Sequence, residues 1–166
     1  NDFWKYEVNT DSWTWMGGSE VVDQAGNYGV RGTPGENYMP GARFGAVGWY
    51  DSMREEFWLF GGEGCGSTTV SGAKMVDYYR PTNNPLNSLI GHLNDLWRYR
   101  MNDSTWTWIS GSSTASQQGQ YGEKGKASSY NAPGGRKRAV GWVDSLREEF
   151  WLFGGEGFAT DSTIGT

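Results

Sequence analysis

Hydrophobic and polar positions alternate along this chain in short stretches. In "NDLWRYRM", Trp97, Tyr99 and Met101 fall on one side of an extended backbone and Leu96, Arg98 and Arg100 on the other, the period-two pattern of a half-buried strand. Asn102-Asp103-Ser104 reads as a turn, and "TWTWIS" then sets Trp106 and Trp108 on one face. "RKRAVGWVD" reads as a third strand, "SLRE" as a hairpin turn and "EFWLFGG" as a fourth strand. That last strand alternates Phe150 and Leu152 with Trp151 and Phe153, so it is apolar on both faces and needs cover on both. Gly154 and Gly155 end it and admit positive φ or close backbone approach. No stretch sustains a 3.6-residue apolar period, so the pattern predicts an all-β chain.

The same pattern occurs twice. At an offset of 93, residues 1–64 lie on residues 94–157 without a gap, with about 35 of 64 positions identical. "REEFWLFGGEG" recurs at Arg54–Gly64 and Arg147–Gly157, and Trp13-Thr14-Trp15 recurs as Trp106-Thr107-Trp108. Residues 65–93 form an insertion, and residues 158–166 begin a further connection. The insertion, with Pro81, Pro85, Tyr78, Tyr79, Leu86, Leu89 and Ile90, reads as an ordered or semi-ordered surface loop with apolar material to dock on a partner.

Composition sharpens this picture. Among 166 residues are 26 Gly, 10 Trp and 9 Tyr, so aromatic rings supply much of the core. The net charge of −5 argues against a nucleic-acid partner, and no apolar run reaches the roughly 20 residues that cross a bilayer. One cysteine, Cys65, excludes an intrachain disulfide framework; it aligns with Phe158 and reads as a packing residue. Charge is uneven: residues 1–64 carry 4 basic and 10 acidic side chains, residues 94–157 carry 8 and 7. That asymmetry fits either head-to-tail contact or drift on solvated faces.

The di-glycine after an apolar strand, "NDLW-Y", the Trp-containing strand and "PG-R" before the next strand resemble the kelch repeat, most closely the long-unit kelch repeats of bacterial and other extracellular proteins. The resemblance covers nearly the whole chain outside residues 65–93. It implies a β-propeller of four-stranded antiparallel blades. On that reading the chain starts at the third strand of one blade and stops after the second strand of another, with one complete blade at about 41–109 and two half-blades. Two blades' worth falls short of the roughly four to eight of a closed propeller. The expectation is a segment of a longer array, or copies joining head to tail into a ring or a filament.

The resemblance also extends to the galactose-oxidase-like copper radical enzymes, whose site needs two His, a Tyr cross-linked to Cys and a second Tyr; this chain has one His, His92. The sialidase Asp box is absent. Glu55-Glu56 and Glu148-Glu149 flank hairpin turns, recur in both units and read as solvated turn charges, not a catalytic pair. No catalytic residue, cofactor or metal is predicted. Arg43 and Arg136 precede the innermost strand and read as packing residues or anion contacts. Tyr28 and Tyr121, in Gly-rich loops, either pack on the sheet or stack on a sugar or protein ligand. Tyr78 and Tyr79 are further candidate contacts. Asn102 heads an N-glycosylation sequon in a surface turn.

The leading expectation is a non-enzymatic, extracellular or cell-surface scaffold whose partners are further copies or adjacent repeats, or a glycan or protein ligand. A carbohydrate-binding or carbohydrate-oxidising propeller is the alternative. An intracellular kelch adaptor fits less well, because the BTB and BACK regions such proteins carry are absent.

Overall fold

The computed structural model describes residues 1–67, 90–160 and 164–165. Within them the chain is all-β. The first strands are β1 (Phe3–Glu7), β2 (Ser12–Gly17), β3 (Arg43–Phe44), β4 (Val47–Asp51), β5 (Glu56–Phe60) and β6 (Glu63–Cys65). Then follow β7 (Ile90–His92), β8 (Leu96–Arg100), β9 (Thr105–Ser110), β10 (Arg136–Lys137), β11 (Val140–Asp144), β12 (Glu149–Phe153), β13 (Glu156–Phe158) and β14 (Ile164–Gly165).

The centre is a four-stranded antiparallel sheet in the order β4-β5-β8-β9. Two-stranded sheets β1-β2 and β11-β12, and three-stranded sheets β3-β6-β7 and β10-β13-β14, complete the described residues. Alternation along the central strands builds two cores. On one face Trp97, Tyr99 and Trp106 bury with Tyr28 against Phe3, Tyr38 and Met39. On the other, Val47, Trp49 and Phe60 bury against Ala139, Phe150 and Leu152. Phe3 of β1 meets Tyr99 and Trp106 edge-on at 4.8 and 5.6 Å, and Phe150 of β12 meets Trp49 and Trp58 at 5.5 and 5.1 Å. The central sheet is thus covered on both sides, as the apolar alternation of β5 requires.

Among the described residues, the β1-β2 and β11-β12 sheets are covered on one side only. Trp142 and Trp151 are 54% and 57% exposed, although their counterparts Trp49 and Trp58 lie in the core. Trp4, Tyr6, Trp13 and Trp15 are likewise exposed, while Trp97, Tyr99 and Trp106, the counterparts of the first three, are buried.

The hairpin tips explain the repeated "DS-REE". Asp51 Oδ1 accepts the amides of Met53 and Arg54, and Asp144 Oδ1 those of Leu146 and Arg147. Glu55 and Glu148 then adopt positive φ, 55° and 57°. The expectation that these glutamates are all solvated is corrected at Glu56. It opens β5, is buried, and lies 3.1 Å from Arg100 and 3.6 Å from Arg98, because β8 runs beside it. "RKRAVGWVD" is also two strands, since Arg138 takes φ 56° at the position Gly45 occupies in the first unit. Cys65 and residues 90–93, at the ends of the insertion, are buried.

Gly61 and Gly62 have φ 65° and 94°, and Gly154 and Gly155 match them at 66° and 86°. Their surroundings differ. A Cβ on Gly61 would lie 2.7 Å from the Arg136 carbonyl oxygen and 2.9 Å from that of Leu93, whereas one on Gly154 meets nothing within 4 Å. Gly154→Ala is therefore expected to cost only the left-handed backbone strain of about 1–2 kcal/mol, and Gly61→Ala clearly more. Urea unfolding of the two variants measures the difference; equal losses would contradict it.

Candidate functional site

The Gly-rich loop after β2 and the strand β8 converge on one carboxylate. Asp95 is fully buried. Arg43, which opens β3, donates to it from both terminal nitrogens, Nη1 to Oδ1 at 2.7 Å and Nη2 to Oδ2 at 2.8 Å. The Tyr28 hydroxyl donates to Oδ2 at 2.6 Å, and Trp97 Nε1 to the same oxygen at 2.7 Å. The Gly61 amide donates to the Asp95 carbonyl. Such a charged pair offsets its desolvation only when its hydrogen bonds are complete. Burial opposes the Arg43 charge, but the Asp95 carboxylate outweighs it and holds the guanidinium above its ordinary pKa. Burial, and then Asp95, push the Tyr28 hydroxyl up, so it stays a donor.

Two candidate contacts, Tyr28 and Arg43, therefore belong to one buried cluster that joins the first unit to the second. Tyr28 is packed against Trp97 and Trp108, and its ring offers no open face to a ligand. Asp95 completes the cluster; its place just before the strand-forming "LWRYR" was the available signal, since an acid entering a buried strand needs a cation.

Tyr121 and Arg136 are placed differently. Arg136 repeats the local bonds of Arg43: Nε to the carbonyl of Gly134 at 3.0 Å, as Arg43 to Gly41, and Nη1 to that of Gly154 at 3.1 Å, as Arg43 to Gly61. The Tyr121 ring likewise repeats the seat of Tyr28, for a Cβ on Gly119 or on Gly26 would meet the ring at 2.7 Å. Yet Tyr121 is 55% exposed, and among the described residues no carboxylate pairs with Arg136. Tyr121, Arg136 and Gly154 line one cavity. Asn102 lies in the exposed turn between β8 and β9. Tyr78 and Tyr79 fall outside the described residues.

A second cluster joins the small sheets. His92 on β7 is buried, packed edge-on to Phe158 at 5.7 Å. Its Nε2 is 4.0 Å from Glu63 and 3.7 Å from Glu156 and makes no hydrogen bond. Lys137 bonds Glu63 and approaches Glu156 at 3.4 Å. Burial pulls the His92 pKa below its ordinary value, opposed by Glu63 and assisted by Lys137. Cys65 is buried on β6, and burial pushes its thiol up, away from reactive thiolate. Among the described residues no group of three His, Cys, Asp or Glu side chains is placed to hold a metal ion, and no helix is long and apolar enough to cross a membrane.

No protein-family model and no curated protein matches this chain.

Removing Asp95 strands a buried guanidinium. Asp95→Ala is expected to cost about 3–5 kcal/mol in urea unfolding, and Arg43→Ala with Asp95→Ala together less than the sum of the two; additive losses would contradict the pairing. For His92, folding opposes a charge that the unfolded chain accepts. Stability is then full above the ordinary imidazole pKa of about 6.5 and falls as pH drops from there toward the lower folded value. The melting temperature should decline over that window, and His92→Gln should flatten the decline.

Proposed function

We propose that the chain is a non-enzymatic interaction scaffold of the kelch type, in which the four-stranded sheet is a propeller blade and the outer sheets are half-blades. It acts outside the cell or at its surface and extends head to tail through further copies or adjacent repeats. The carrying observation is that the outer sheets expose the aromatic positions that the inner junction buries: Trp142 and Trp151 against Trp49 and Trp58, and Trp4, Tyr6 and Trp13 against Trp97, Tyr99 and Trp106. Contiguous exposed aromatic area of this kind marks an interaction face. The kelch resemblance of the motifs supports the blade reading, and the packed sheets fit a durable scaffold.

A second reading has one observation in its favour. A cleft lined by Trp108, Gln117, Tyr130, Asn131 and Arg31 combines aromatic and amide groups, the chemistry that holds a sugar ring. Tyr130 is exposed there.

Mass by light scattering after size exclusion tests the scaffold. The expected result is concentration-dependent assembly of the 166-residue chain, weakened by Trp151→Ser; a monomer at all accessible concentrations overturns it. A glycan array with the same protein tests the cleft, where binding abolished by Tyr130→Ala would favour the carbohydrate reading.

A further inference from the structure

The contacts in this chain sort into two kinds. Some occur in both units and so belong within a unit: Trp4 and Trp97 donate to Asp2 and Asp95, Asn1 and Asn94 donate to the Pro40 and Pro133 carbonyls, and the two arginines bind their glycine carbonyls alike. Others occur once because they join the first unit to the second: Arg43 and Tyr28 to Asp95, the Gly61 amide to the Asp95 carbonyl, and the ladder between β5 and β8. Each partner in that single junction has a counterpart left open at an end. Asp2 is exposed, and among the described residues its side-chain hydrogen-bond partner is Trp4. Arg136 and Tyr121 sit ready in the geometry of Arg43 and Tyr28, with no carboxylate paired to them among the described residues.

We propose that a second copy of the chain docks so that its Asp2 enters the Arg136–Tyr121 cavity while its β1 pairs with the open edge of β12. This rests on the scaffold reading above and specifies its contact. The register follows from the inner ladder, where Glu56, Trp58 and Phe60 oppose Arg100, Arg98 and Leu96. Shifted by one unit, Glu149 opposes Glu7, Trp151 opposes Lys5 and Phe153 opposes Phe3 of the second copy. The faces agree as well. In the inner junction Trp49 overlies Gly141, with its Nε1 2.5 Å from where a Cβ there would be. Trp142, the counterpart of Trp49, is exposed, and Gly48, the counterpart of Gly141, lines an open cleft of about 520 Å³ together with Asp2, Tyr50, Phe57 and Leu59. Trp142 fills that cleft on the second copy. The one poor match is Glu149 against Glu7, where the inner junction has Arg100 against Glu56; Lys5, which bonds Glu7 and stands where Arg98 reaches Glu56, offsets it from the diagonal position.

Occupying the half-site requires both members, so complementation reads it. Asp2→Ala and Arg136→Ala copies, each alone, are expected to self-associate about 100-fold more weakly than the original chain or worse. Mixed, they form a one-to-one dimer that grows no further, because one sound Asp2 meets one sound Arg136 and both remaining ends are defective. Asp2 is exposed, so its replacement leaves the melting temperature of the isolated copy unchanged. Should Arg136→Ala lower that temperature, Tyr121→Phe replaces it, deleting one exposed hydroxyl and weakening association by about tenfold. Original chain that assembles while Asp2→Ala assembles equally well overturns this contact and leaves the scaffold standing. Mixtures that give no dimer likewise overturn it. Original chain that stays monomeric removes the scaffold reading itself.

Discussion

A strand that is apolar on both faces cannot lie against water on either. β5 is such a strand, and the architecture around it follows. Its sheet is covered by Phe3 and the Tyr28 loop on one side and by Phe150 and Leu152 on the other. A sheet with one greasy face can end a structure, whereas a sheet with two requires another sheet beyond it. The duplicated "EFWLF" carries this demand into β12, where Trp151 and Phe153 remain open. Burial of large aromatic rings supplies the stability that so few Leu and Ile side chains could not.

Apolar stacking alone tolerates sliding. The Asp95 cluster does not, because a fully buried carboxylate has to find all of its donors at once. Those donors come from β3, from the loop holding Tyr28 and from Trp97. One misplaced residue in register would leave a charge unpaired in the core. The hydrophobic faces bring the units together, and the ionic cluster fixes how they sit.

Much of this was legible in the sequence. The alternation of Trp97, Tyr99, Trp106 and Trp108 predicts strands, and the matched blocks at an offset of 93 predict matched hairpins; both are present. Three things escaped. The break in "RKRAVGWVD" at Arg138 is invisible in that segment, though Gly45 at the matching position hints at it, since the backbone there is left-handed whatever the side chain. Glu56 looks like a turn residue because its long-range partners, Arg98 and Arg100, lie some forty residues on. The pairing of Arg43 with Asp95 spans two units and depends on which strands adjoin, which period and propensity do not encode.

The hairpin tips hold one more consequence. Arg54 binds Asp51 within its own turn and also reaches Glu148 on the next tip. Arg54 and Glu148 are both exposed, so the tie between the tips adds little to stability. It does link neighbouring tips: each carries one arginine against an aspartate and a pair of glutamates, and Arg54 reaches across to the Glu148 carboxylate. Because Asp51 and Glu55 outnumber Arg54, and Asp144 and Glu148 outnumber Arg147, a border of such tips gains negative charge with each one added, and dissolved salt eases their crowding.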